Sequence, residues 1–168
     1  NAIVPRDSLP TPERIAAFRT RFGVEDNLLV AIGGRLNEQK GIRQLFQALG
    51  VLRKEFGGLR MLVMGDEALY QDGFEDMARG IGVADLVVCT GWLEGEDLAA
   101  AYASLDVMVT PSICFETFGM LNLEAMEFGT PVVATSFGGC KEVVRDGENG
   151  WTVNPFRIED LAERIAVL

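Results

Sequence analysis

The sequence of 168 residues contains no histidine, only three lysines and only three cysteines. Without histidine, this chain cannot supply an imidazole for acid–base chemistry, and it lacks the commonest ligand of zinc. Cys89, Cys114 and Cys140 have neither pairing parity nor a metal-like spacing, so we expect reduced, buried thiols of a cytosolic protein and no metal site. The net charge of −10 argues against a nucleic-acid partner, which would require an excess of basic residues.

Long apolar runs are also missing, since no segment approaches the roughly 20 residues that a membrane-spanning helix requires. No signal peptide is recognisable. We therefore expect a cytoplasmic protein, peripheral to a membrane only through a part outside this sequence. Hydrophobic residues make up 48 % of the chain, and it contains 19 glycines. This composition predicts a single globular domain that spans residues 1–168. Because the chain opens at Asn1 and stops inside a predicted helix, we expect a fragment of a longer protein.

Short apolar runs that end in glycine or polar residues alternate with segments of helical periodicity. Such runs are typical of strands buried on both faces, and their alternation with helices predicts a parallel sheet covered on both sides. The predicted class is α/β, a three-layer Rossmann-like domain with about six parallel strands. Ligands of such domains bind beyond the carboxyl ends of the strands. The predicted strands are 28–32, 61–64, 86–89, 107–109, 131–134 and 151–153, and the predicted helices are 12–22, 42–56, 73–80, 97–105, 119–128, 140–144 and 158–168.

The loop after the first strand contains two cations, Arg35 and Lys40, between Gly34 and Gly41. A guanidinium fork and a mobile ammonium group could neutralise one diphosphate together. The alternative is a solvated loop whose charges are incidental. The loop matches neither of the glycine-rich patterns typical of dinucleotide binding and of ATP hydrolysis.

The loop after the fourth strand places Glu116 before a predicted helix and Glu124 within it. If most of that interval is helical, the two carboxylates stand on the order of 10–12 Å apart, close to the span between the sugar and the ribose of a nucleotide sugar. Glycosidase carboxylate pairs are closer, at roughly 5–9.5 Å. The N–H groups of Phe118, Gly119 and Met120 at the helix start suit a phosphate. Alternatively, Glu116 only favours the helix dipole and Glu124 only faces solvent.

Two further features follow predicted strands. Gly138-Gly139 opens the turn before a short helix and could face a second anion, or it could be an ordinary strand-to-helix connection. Trp92 could cover a nucleotide base, although a tryptophan at a strand end is more often part of the core.

Taken together, these residues resemble the donor-binding domain of the retaining glycosyltransferases of family four (glycosyl transferases group 1). The resemblance covers essentially the whole chain. Six motifs carry it: G-R-L-x-x-x-K-G at 34–41, Gly65-Asp66, P-S-x-x-x-E-x-F-G-x-x-x-L-E-A-M at 111–126, G-x-P-V-V-A-T at 129–135, Gly138-Gly139 and D-G-x-x-G at 146–150.

The resemblance implies the C-terminal half of a GT-B fold that binds a UDP- or GDP-hexose without a metal. An absent N-terminal domain would hold the acceptor, which could be a sugar, a lipid or another small molecule. By resemblance, Arg35 and Lys40 hold the diphosphate, Glu116 contacts the sugar hydroxyls and Glu124 the ribose, and the first three are the expected catalytic residues. The full set of expected donor-binding residues is Gly34, Arg35, Lys40, Gly65, Trp92, Leu93, Glu116, Phe118, Gly119, Met120, Leu121 and Glu124.

The predicted function is donor binding for hexosyl transfer with retention, with the isolated chain binding but not catalysing. A nucleotide-sugar epimerase with the same two-lobed fold is the enzymatic alternative. A non-enzymatic sensor of nucleotide sugars is the other. The sequence before Asn1 would distinguish the three.

Overall fold

The computed structural model describes residues 9–168; the first eight residues of the predicted domain lie outside the described residues. Strands and helices alternate through the described part. The strands are β1 (Leu28–Gly33), β2 (Leu59–Met64), β3 (Val87–Cys89), β4 (Val107–Thr110), β5 (Val132–Thr135) and β6 (Gly150–Val153). The helices are α1 (Pro12–Phe22), α2 (Ile42–Leu52), α3 (Glu67–Gly73), α4 (Glu75–Ile81), α5 (Gly95–Ser104), α6 (Met120–Glu127) and α7 (Ile158–Ala166).

The strands form one sheet in the order β3-β2-β1-β4-β5-β6, and every pair of neighbours is parallel. The predicted α/β class and the Rossmann-like parallel sheet are therefore confirmed. The order reverses between β1 and β4, where Val30 pairs with Val107. At such a switch point the loops after the two strands turn to opposite faces, which opens a crevice at the carboxyl edge of the sheet.

Successive β1 side chains enter two separate cores because neighbouring residues of a strand point to opposite faces. Val30 and Ile32 pack into the cluster covered by α2, α4 and α7. Leu29 and Ala31 pack into the cluster on the other face, beneath α1, α5 and α6. This two-sided burial explains why the strands are continuous apolar runs rather than alternating patterns.

Helix boundaries show where local signals were sufficient. Thr11 caps α1 by accepting from the N–H of Arg14, and Gly23 ends it in the left-handed conformation, as the sequence predicts. The single weak helix predicted at 73–80 is wrong, because α3 and α4 occupy residues 67–81. Asp66 starts α3 by accepting from the N–H groups of Ala68 and Leu69 at 2.9 and 3.2 Å.

Other predicted helices are also shorter in the structure. The segment 42–56 is helical only to Leu52, the segment 158–168 only to Ala166, and residues 140–144 form a 3-10 turn, Gly139–Glu142. None of the helices within residues 9–168 has both the length and the apolar character needed to span a bilayer.

Candidate functional site

The loops after β1 and β4 lie side by side at the switch point. The N–H of Ile113 donates to the carbonyl of Gln39 at 2.8 Å, which ties the two loops together. Gly41 packs against the carbonyl of Pro111 so closely that a Cβ atom at position 41 would overlap it. The sheet topology therefore brings together the two loops that the sequence singled out separately.

Lys40 and Glu116 form an ion pair in a cavity of about 170 Å³ between these loops. Lys40 Nζ lies 3.0 Å from Glu116 Oε2, and their side chains are 28 % and 18 % exposed. Ser112 Oγ donates to the same carboxylate oxygen at 3.1 Å. The cation and the acid, predicted as ligands of different parts of one donor, thus contact each other.

Local structure holds Lys40 at the cavity. The residue ends a short 3-10 turn, Glu38–Lys40, in which Asn37 Oδ1 accepts from the N–H of Lys40 at 3.1 Å. Gly41 follows with φ +74°, a left-handed conformation that glycine adopts without strain. The sharp stop sends the chain directly into α2.

Gly138-Gly139 supports the backbone of Glu116. The N–H of Glu116 donates to Phe137 O at 3.0 Å, and the N–H of Gly139 donates to Glu116 O at 2.8 Å. Gly138 has φ +100°, and a Cβ atom there would overlap the Glu116 backbone. The hypothesis of a second anion-facing turn is not favoured, because the Gly139 N–H is already used in holding Glu116.

Helix α6 begins at Met120, after Gly119 in the left-handed conformation. The N–H groups of Phe118, Gly119 and Met120 precede the first complete turn, so no earlier helical carbonyl can accept from them. Phe118, Gly119, Met120 and Leu121 line the same cavity as Lys40 and Glu116. A helix start with its partial positive charge thus lines the same cavity as the lysine.

A buried polar network lies directly beneath that helix start. Thr110 Oγ1 donates to Asn122 Oδ1 at 2.7 Å, and Asn122 Nδ2 lies 3.7 Å from Cys140 Sγ. Burial raises the pKa of the Cys140 thiol, and the negative charge of Glu116 raises it further. Cys140 is therefore a protonated, structural thiol at neutral pH.

We expect Asn122→Ala to lower the free energy of unfolding by about 2–4 kcal/mol, because it leaves a cavity and removes the acceptor of the buried Thr110 hydroxyl. Urea unfolding measures this. In a Thr110→Val background the same substitution should cost less, since no hydroxyl is then left without its acceptor. Equal costs in both backgrounds would refute the role given to this hydrogen bond.

A second cavity, of about 310 Å³, lies next to the first and shares Gly33 and Leu121 with it. Glu124, Trp92 and Leu93 line it. The alternative that Trp92 is part of the core is wrong, because this residue at the rim of the cavity is 63 % exposed. The two acids therefore lie in adjoining cavities, as one ligand reaching from sugar to ribose would require.

The predicted distance between Glu116 and Glu124 assumed that most of the interval between them is helical, and only the second half of that interval is. Residues from Met120 onward are helical, whereas Glu116 is in an extended segment bridged to Gly138. The acids are brought to one edge by the sheet and the loop together rather than by a single helix.

Two predicted donor-binding residues, Arg35 and Gly65, line neither of the two cavities. The Arg35 side chain is exposed and forms no ion pair with any residue of the described range 9–168, and it does not line the cavity of Lys40. Gly65 packs closely against the first loop, since a Cβ atom there would lie 2.7 Å from the carbonyl oxygen of Gly34.

Two residues of the site were missed by sequence reasoning, Ser112 and Tyr102. Ser112 belongs to the motif at 111–126, and its place in that motif could have identified it as a site residue. Tyr102 lines the second cavity from α5, where it counts only as one apolar position of a helix. Cys89 and Cys114 are half-buried, so the prediction of buried thiols is correct only for Cys140.

A further cavity, larger than these two, lies at the opposite edge of the sheet where β5 and β6 begin. Its volume is about 420 Å³, and among the residues 9–168 that line it only Glu148 has a charged side chain. Without a cation it does not suit an anionic ligand.

Fold and site together define a Rossmann-like α/β domain with a switch-point crevice that combines a lysine, two carboxylates and a helix start. The model of the family "Glycosyl transferases group 1" matches residues 15–168. The chain therefore belongs to this family, and the prediction of a GT-B glycosyltransferase C-terminal domain is confirmed.

Known proteins agree with this assignment. The chain is 37 % identical over 146 residues to an uncharacterized glycosyltransferase of Methanocaldococcus jannaschii, covering 86 % of this chain and 37 % of that protein. It is 32 % identical over 165 residues to the GDP-mannose-dependent alpha-(1-6)-phosphatidylinositol monomannoside mannosyltransferase of Mycolicibacterium smegmatis, covering 95 % and 43 %. The crystal structure of Anabaena HepE in complex with UDP-glucose superposes with a TM-score of 0.83 at 29 % identity, covering 94 % and 43 %. The chain thus spans about two fifths of the length of these relatives.

Proposed function

We propose that this chain binds a nucleotide diphosphate hexose, with uridine or guanosine as the base, across the two adjoining cavities. The observation that carries the proposal is that Lys40, at the switch point, lines one small cavity together with the start of α6. A pyrophosphate there would meet an ammonium group on one flank and peptide N–H groups on the other. Anabaena HepE, whose crystal structure is in complex with UDP-glucose, and the GDP-mannose-dependent relative support this ligand class.

In this proposal each acid has its own part of the donor. Glu116 accepts hydrogen bonds from hydroxyls of the hexose, and Glu124 accepts them from the ribose. Trp92 and Leu93 border the base. Because the two cavities share Gly33 and Leu121, one extended ligand can occupy both.

We further propose that the full-length protein transfers the hexosyl unit to an acceptor with retention of configuration. As the bond to the anomeric carbon breaks, negative charge grows on the departing diphosphate. In this proposal Lys40 and the helix start stabilise that charge, together with Arg35, which is exposed on the same loop as the lysine. This chemistry needs no metal. The acceptor would be held by a separate N-terminal domain, so the isolated chain binds the donor without transferring it.

Thermal unfolding with a panel of ligands tests the proposal. At a concentration of 100 times the dissociation constant, a ligand of the native state adds about 2.7 kcal/mol, which corresponds to roughly 5–10 °C for a chain of this size. We expect such a shift with a UDP-hexose or a GDP-hexose, and the same shift in EDTA as in magnesium. NAD and ATP at equal concentration are the controls. No shift with any nucleotide sugar, or equal shifts with NAD and ATP, would rule the proposal out.

A further inference from the structure

Tyr102 is held in place through both its ring and its backbone. Its side chain is 2 % exposed, and its ring stacks on Phe128 with centroids 5.7 Å apart and an interplanar angle of 11°. The carbonyl of Tyr102 accepts from Thr130 Oγ1 at 2.8 Å. Contacts of the ring and of the backbone therefore hold Tyr102, and the residue lies at the wall of the second cavity.

The hydroxyl of Tyr102 donates to Glu124 Oε2 at 2.7 Å. Helix α5 thereby holds a carboxylate that belongs to α6. An ionised carboxylate offers about four acceptor positions, and the tyrosine uses one of them. The others remain for donors inside the cavity, and they point in a direction that the tyrosine has fixed.

We propose that Tyr102 is a positioning residue that sets the Glu124 carboxylate to accept from the vicinal hydroxyls of a ribose. The inference rests on the proposed function, because it takes the occupant of the second cavity to be the ribose of the donor. Two adjacent hydroxyls can donate to one carboxylate only if its plane is aligned with them. A fixed carboxylate therefore distinguishes a ribonucleotide from its 2′-deoxy counterpart more strongly than a freely rotating one does.

The test compares affinities for a ribonucleoside diphosphate and its 2′-deoxy form by calorimetry. UDP or GDP is used, whichever the parent chain binds more tightly. We expect the parent to prefer the ribose form by roughly tenfold or more, since a site built for a hydroxyl disfavours ligands that lack it. Tyr102→Phe keeps the stacked ring and removes only the donor, and it should reduce this preference to about threefold or less. Glu124→Gln should reduce it as well.

Tyr70→Phe is the matched control. The chain has two tyrosines, and Tyr70 is also buried but lies on α3, away from both cavities. Its loss of one hydroxyl should leave the preference for ribose unchanged. Unfolding midpoints of all variants check that each is folded at the temperature of the titration.

Failure of the inference and failure of the proposed function give different results. If Tyr102→Phe lowers both affinities by the same factor, or if the parent does not discriminate ribose from deoxyribose, the positioning role is wrong while donor binding stands. If the parent binds neither UDP nor GDP, the proposed function is wrong and the inference falls with it.

Discussion

Gly41→Ala should unfold much of the chain under conditions in which the parent is folded. Gly41 has φ +74° and ψ +25°, and a Cβ atom there would overlap the backbone carbonyl of Pro111. A side-chain neighbour could rotate away, but a backbone oxygen can move only if the loop after β4 moves with it. We expect a loss of at least about 3 kcal/mol in the free energy of unfolding, measured in urea.

Gly23→Ala separates the overlap from the cost of the left-handed conformation. Gly23 ends α1 with φ +64° and ψ +41°, almost the same dihedral angles, but a Cβ atom at that position has nothing within 4 Å. This control should lose only about 1–2 kcal/mol, the ordinary cost of the conformation for a residue with a Cβ. If both variants lose the same free energy of unfolding, the close contact between Gly41 and Pro111 does not constrain the two loops.

The two glycine variants should also differ in donor binding. Gly41 directly follows Lys40, and Pro111 precedes Ser112, which donates to Glu116. A displacement of either loop therefore changes the ion pair in the cavity. Whatever fraction of Gly41→Ala stays folded should bind UDP or GDP more weakly than the parent, while Gly23→Ala should bind as the parent does.

Local patterns were enough to predict most of the fold. Apolar runs located all six strands, and Thr11 with Gly23 located both ends of α1, because these signals depend only on neighbouring residues. The exceptions are local as well. Asp66 was considered only as part of the Gly65-Asp66 motif after the second strand and not as the residue that caps α3, so one helix was missed.

Long-range contacts in the site could not be predicted in the same way. Lys40 and Glu116 are 76 positions apart, and only the pairing of β1 with β4 places them together. The same applies to Gly138, whose partner is the backbone of Glu116, and to Tyr102, whose partner is on the next helix. Composition gives no sign of which side chains meet. The exposure of Trp92 could not be predicted either, because an apolar residue at a strand end becomes exposed when the loop after the strand turns outward.

Lys40→Ala should weaken the binding of a nucleoside diphosphate by roughly tenfold or more. A hydrogen bond to a charged group contributes about 1.5–3 kcal/mol, and the substitution removes one directed at the diphosphate. It also leaves Glu116, only 18 % exposed, without its cation and beside an anionic ligand. Both effects act in the same direction, so the loss should exceed that of a simple surface charge.

Two variants test that reasoning. Lys54→Ala removes the same charge from an exposed position after α2, and we expect no measurable change in affinity. Lys40→Ala combined with Glu116→Gln removes the unpaired carboxylate charge, and it should recover part of the affinity for the diphosphate. Calorimetry on the four chains measures each step. If Lys40→Ala binds as tightly as the parent, the lysine does not hold the diphosphate. If the double variant recovers nothing, the ion pair with Glu116 plays no part in the loss, and the lysine acts through its own contact alone.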